Sequence, residues 1–210
     1  MRASLFGHLA LLMVTGACCV LTAAGGAPAA ATAPDSGLTD QQICQFRHTD
    51  ILVNSLLRPA KREVSEEEFA WMQEQIKRKK RGEPCVLPDG YAAQFREAMA
   101  HNAAFEAGTK TGLSPQTTDD RLLCAAAWNR WNYAVQSAAS VSFVSALRRD
   151  LSADNASRRE AFWRVQAGDV SGLGDERAAA EEKADDLYAA YVQGEDRGLE
   201  RLMERLAICK

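Results

Sequence analysis

Residues 117–147 read TTDDRLLCAAAWNRWNYAVQSAASVSFVSAL, and this stretch decides how the chain folds. Thr117 or Thr118 can open a helix. Leu123, Cys124, Trp128, Trp131, Val135 and Ala138 then recur at spacings of three and four, the period of one buried helical face. The alanines and serines of residues 138–145 leave room for neighbouring helices to come close. The stretch therefore reads as one long, apolar central helix that reaches toward Leu147.

Working outward, the other segments have the same character. Strand signals are almost absent, because no long alternating β-branched run occurs. Thr39 with Gln42 forms a capping box before a helix whose apolar face is Ile43, Phe46, Val53, Leu56 and Leu57, closed at Arg58-Pro59. Ser65 with Glu68 opens a second helix that ends at Gly82, with Phe69, Met72 and Ile76 on its core side. Its first turn is acidic and its last is basic, as the helix dipole favours. Asp89 is placed to cap a third helix from about Gly90 to Ala107, carrying Phe95 and Met99, with a loop from Gly108 to Pro115.

Beyond the central helix, Ser152 or Asp154 starts a helix with Phe162, Trp163 and Val165 that stops at Gly168. Gly172-Leu173-Gly174 is a turn. A sixth helix runs from about Asp175 to Gln193, and a last one from about Leu199 to Ile208 delivers Cys209. Three weakly similar segments, at 133–136, 163–166 and 191–193, are too short and uneven to make a solenoid. The fold class expected is all-α: a single bundle of about six to seven helices.

The first 33 residues read as a signal peptide and Ala-rich leader. Arg2 is followed by an apolar run from Leu5 to Val14 and then by small residues, with Ala29-Ala30-Ala31 as a cleavage site and a cut after Ala23 as the alternative. Residues 34–210 form the single exported domain. Cys18 offers a lipid anchor as a minority reading, since the Leu that usually precedes such a cysteine is missing.

Cys44, Cys85, Cys124 and Cys209 remain in the exported part, an even number suited to an oxidising compartment, periplasmic or secreted. Four cysteines allow three pairings. Cys44–Cys85 with Cys124–Cys209 is preferred, the second tying the penultimate residue to the central helix. No CxxC and no adjacent His supports a metal site instead, and no CxxCH supports haem.

The leader holds one of the chain's 25 basic residues and none of its 28 acidic ones, so the exported part is mildly acidic. A nucleic-acid binder usually has a basic excess, and none is expected as a partner. No second apolar run approaches the length of a membrane span. No GxSxG, HExxH or P-loop occurs, and no cofactor is expected.

Two groups of residues remain as a partner or ligand surface. Lys77, Arg78, Lys79, Lys80 and Arg81 form a basic block that suits an acidic partner or anionic lipid, or merely ends a solvated helix. In Trp128-Asn129-Arg130-Trp131-Asn132 the two indoles suit a core or a flat ligand, while Asn129, Arg130 and Asn132 face outward. His101 with Glu97 one turn earlier suggests an ion pair, and Glu181/Glu182 and Asp185/Asp186 a solvated acidic face. Asn155-Ala156-Ser157 is a glycosylation sequon, relevant only in a eukaryotic secretory pathway.

The function expected is that of an exported, non-enzymatic interaction protein: an inhibitor, immunity factor or envelope accessory protein acting on another envelope protein. The architecture resembles that of periplasmic immunity proteins at the level of fold alone. The alternatives are a small-ligand binder with a cavity lined by Trp128, Trp131 or Trp163, and an envelope hydrolase using carboxylates.

Overall fold

The computed structural model describes residues 37–56, 63–168 and 174–210. The leader, Cys18, the Arg58-Pro59 stop and Gly172-Leu173 lie outside them. The described residues form eight α-helices and one short 3-10 turn: α1 (Asp40–Leu56), α2 (Glu66–Lys80), α3 (Tyr91–Thr109), α4 (Thr118–Ser137), α5 (Val141–Ala146), the 3-10 turn Arg149–Leu151, α6 (Ala153–Gln166), α7 (Gly174–Val192) and α8 (Gly198–Ile208). The all-α class holds, and both preferred cysteine pairs are bonded, with Cα–Cα distances of 6.4 Å for Cys44–Cys85 and 5.4 Å for Cys124–Cys209. Disulfides of this kind fit an oxidising environment. No helix among the described residues is long and apolar enough to cross a membrane.

Helix α4 is the central element, packed against α6, α7 and α8. Thr117 caps it through a reciprocal box with Asp120. Leu122 through Trp128, Trp131 and Val135 are all buried, so the helix is covered over most of its circumference. It is shorter than the sequence suggests. Ala138 turns to an extended conformation, and Ser140 accepts from the Phe143 backbone N–H to start the separate helix α5. The serine that favours close packing inside a helix is here an N-cap, and that competition splits one expected helix into two.

The third helix also differs from its expected span. Asp89 does not cap it; the cap position is Gly90, in the left-handed region at φ 71° with no side-chain cap bond. At its other end α3 continues through Gly108 instead of breaking there. A Cβ at Gly108 would lie 2.7 Å from the Ala207 Cβ and 2.9 Å from the Glu204 Cα, so the missing side chain is what lets α8 cross α3. Gly108 serves packing, where the sequence alone suggests a loop.

The main core joins Ala98, Phe105, Trp128, Trp131, Leu151, Trp163, Leu202, Met203 and Leu206. Leu122, Leu123, Ala126, Ala167, Ala180 and Ala184 form a second, mostly alanine cluster where α4, α6 and α7 meet. A third and smaller cluster, Ile43 with Tyr91 and Phe95, docks α1 on α3. Arg96 on α3 holds the start of α1, donating to the Leu38 carbonyl at 3.2 Å and pairing with Asp40.

Two outcomes follow from this packing. Gly108→Ala gains helix propensity yet forces α3 and α8 apart, and it should lower stability by about 1–3 kcal/mol in urea unfolding. Replacing Cys124 and Cys209 with serine opens the longer loop and should cost about 4–5 kcal/mol, against about 4 for Cys44 with Cys85, measured by the same denaturation curves.

Candidate interaction surface and binding groove

The sequence groups its candidate residues by chain position, and the folded protein separates them. Trp128 and Trp131 are fully buried. The Trp128 indole N–H donates to the Cys209 carbonyl at 2.8 Å, and the Trp131 indole N–H donates to the Leu151 carbonyl at 2.9 Å. Both indoles are core residues, so neither contributes to a surface. Asn132 is half-buried on the other side of the helix and accepts from Gln136.

Asn129 and Arg130 lie elsewhere, on the side of α4 that faces α6 and α7. Asn129 donates to Glu160 at 3.1 Å. Arg130 places Nε and Nη2 on the Asp185 carboxylate and Nη1 on the Asn129 side-chain oxygen. Asp185 is therefore not simply solvated. The Arg130 bond holds its carboxyl below the usual range, and the Asp185 bond raises the guanidinium in turn. With Leu122, Ala125, Ala126, Arg164, Arg177 and Glu181 these residues line a groove of about 120 Å³.

The basic block ends α2, where its charges suit the dipole. Two of its members are structural: Arg78 donates to the Pro84 carbonyl at 3.1 Å, and Arg81 pairs with Glu83 and Glu74. Together they fold the connector 83–88 back along the helix. Gln75 accepts from the Val86 N–H at 2.9 Å and Trp71 donates to the Val86 carbonyl at 2.9 Å, so Cys85 is delivered to Cys44 by bonds on both sides. Lys77, Lys79 and Lys80 are exposed and make no ion pair among the described residues.

Around that bridge lies a feature the sequence does not announce. The Arg47 guanidinium sits 4.7 Å from the Trp71 ring centre and 4.2 Å from that of Tyr91, joining α1, α2 and α3 through cation–π contacts. Its Nε is buried without a partner among the described residues, as is Oδ1 of Asn54 on the same face.

The rest of α1 is exposed to a degree its pattern does not predict. Ile43, Cys44, Ile51 and Asn54 are its buried residues, whereas Phe46, Val53 and Leu56 are exposed at 54, 39 and 72%. These three fall at i, i+7 and i+10, a stripe beside the buried face. Phe46 stacks on Phe95 along one side only, and Phe69 on α2 is also exposed. Phe162 and Val165 on α6 likewise face out, leaving Trp163 as the buried member of that trio.

His101 makes no ion pair with the Glu97 carboxylate. Its Nδ1–H donates to the Glu97 backbone carbonyl at 2.7 Å, which leaves Nε2 to accept from the Tyr191 hydroxyl at 3.0 Å. Trp131, Phe143 and Tyr191 enclose the ring. Burial pushes its pKa down to about 4, and burial also raises the Glu97 carboxyl and the Tyr191 hydroxyl. Asn155 of the sequon donates its amide to the Asp150 carbonyl at 2.7 Å inside the first turn of α6. Among the described residues no group of three or more His, Cys, Asp or Glu is placed to hold a metal ion.

The buried imidazole sets a pH dependence. Unfolded, it takes a proton near pH 6.5; folded, it resists until about 4, so its neutral form is stable above pH 6.5 and stability drops as pH falls between those values. The loss should reach about 3 kcal/mol by pH 4, partly offset by Glu97, which binds its proton more readily when folded. His101→Gln should flatten this part of a pH series of urea unfolding curves. Comparison with known proteins matches the chain to no family model, no curated protein and no solved structure.

Proposed function

We propose that this is an exported, non-enzymatic interaction protein whose contact surface is the N-terminal helical hairpin of α1 and α2. The observation that carries the reading is the row Phe46, Val53 and Leu56, exposed on a helix that is covalently stapled in place. A helix held by a disulfide and by the Arg47 clamp keeps its place without Val53 and Leu56, and Phe46, which stacks on Phe95, still leaves more than half of its surface open. They are free to be covered by another molecule, and exposed apolar stripes of this kind mark interaction sites.

Lys77, Lys79 and Lys80 give the far end of α2 a positive field from exposed side chains that make no ion pair among the described residues. Such a field steers association more than it adds affinity, so the partner is read as an acidic protein of the cell envelope. Inhibition, immunity and accessory roles all use a surface of this type, and the hairpin supports the class without choosing among them.

The hydrolase alternative has weaker support. Asp185, Glu160 and Glu181 are each engaged by an arginine, and His101 is enclosed by aromatic rings. General acid–base work needs a titratable group within reach of a substrate, and these are committed to internal partners.

The test uses the oxidised exported domain as bait in native envelope extract. A Phe46→Ser/Val53→Ser/Leu56→Ser variant should keep its helical circular dichroism and lose a stoichiometric partner that the parent retains. Raising salt from about 50 to 500 mM should slow capture by the parent, because exposed charges are screened. Equal capture by both baits sinks the assignment to the hairpin.

A further inference from the structure

We propose that the groove between α4, α6 and α7 is a binding site for a short-chain monocarboxylate, independent of the hairpin surface. Its floor is apolar and made of small side chains, Leu122, Ala125 and Ala126. Its volume of about 120 Å³ is that of a small apolar cavity, slightly under the ~150 Å³ that accepts a benzene ring. A chain of about five or six carbons fills it.

The walls supply the charge. Arg130 has each of its three nitrogens bonded to Asp185 or Asn129 and acts as a fixed side of the groove. Arg164 and Arg177 stand differently. Arg164 meets Glu160 through Nη2 at 2.7 Å, and Arg177 meets Glu181 through Nε at 3.0 Å. A guanidinium carries five N–H donors, so both keep donors to spare, and both side chains are a little over half exposed. Two arginines with unused donors beside an apolar floor suit a ligand with one planar anionic head and one apolar tail.

The surrounding charges set the head group to a single negative charge. Three arginines and one glutamate line the groove, while Glu160 and Asp185 stand just behind Arg164 and Arg130. A dianion such as a phosphate monoester would face three carboxylates with the same three arginines already shared. A carboxylate gains the spare donors while setting one charge rather than two against those groups. Neutral alcohols of the same length fill the floor but leave the donors with water alone.

The probe is hexanoate, titrated into the intact disulfide-bonded domain and followed by amide chemical shifts. Saturable shifts at residues 122–130 with a Kd on the order of 1 mM are expected. Hexanol and hexyl phosphate should each bind at least about tenfold more weakly. Arg164→Gln/Arg177→Gln should weaken hexanoate by a similar factor, and Ala126→Leu, which fills the floor and keeps both arginines, should abolish it. Lys79→Gln on the hairpin should bind hexanoate like the parent. No saturation below ~50 mM, equal affinity for hexanol, or unchanged affinity in both groove variants overturns the proposal.

Discussion

One backbone carbonyl ties the end of α8 to both α4 and α6. The Cys209 oxygen accepts from the Trp128 indole of α4 at 2.8 Å and from the Trp163 indole of α6 at 2.7 Å, while its sulfur is bonded to Cys124 on α4. A buried indole needs an acceptor for its N–H, and leaving one unmade costs about 1–3 kcal/mol. Two such donors depend on the penultimate residue of the chain. The end of α8 is thereby pinned between α4 and α6, and Leu202, Met203 and Leu206 become core residues on the same helix. That position brings α8 across α3 at Gly108, the crossing that requires glycine.

The N-terminal hairpin depends on other forces. Its own cluster is Ile43 with Tyr91 and Phe95, small beside the main core. What fixes it is local: the Cys44–Cys85 bridge, the Arg47 rings and the connector bonds to Gln75 and Trp71. Regions with few buried apolar contacts open at lower free energy than the global transition. The hairpin is thus expected to open at lower free energy than the main core, while the disulfide limits how far its helices can separate. Arg47 Nε and Asn54 Oδ1, buried without a partner among the described residues, belong to this same junction.

The class and the helix order were legible in the sequence because each leaves a strong local mark, whereas the cysteine pairing was a preference among three that the fold decides. Capping boxes at Thr39 and Ser65 mark starts, apolar spacing marks faces, and the cysteine count limits pairings. What was not legible depends on tertiary context. The same stripe that reads as a core face on α1, from Phe46 to Leu56, is exposed because α1 has too little bundle beside it to cover two sides. Ser140 could pack inside a helix or cap one, and local sequence does not choose. The groove was out of reach because Arg130, Arg164 and Arg177 are far apart in the chain, and no short motif joins them.

The alanine content of the bundle links these separate observations. Ala126, Ala180 and Ala184 let α4 and α7 pack closely with little side-chain volume between them. Close packing of that kind leaves little room for large apolar residues to finish the edge, so the seam is closed by long polar side chains instead. Arg130 reaches Asp185, Arg164 reaches Glu160, and Asn129 joins the two pairs through Glu160 and Arg130. Arginine stems cover apolar surface while their heads stay in water, which is the property needed at such an edge. The groove is the space these side chains leave above the alanine floor. Its acidic groups hold the arginines in position, so the arrangement favours recognition of a charge and an apolar tail over proton transfer between carboxyl groups, which requires one carboxyl to be kept neutral beside another that is ionised.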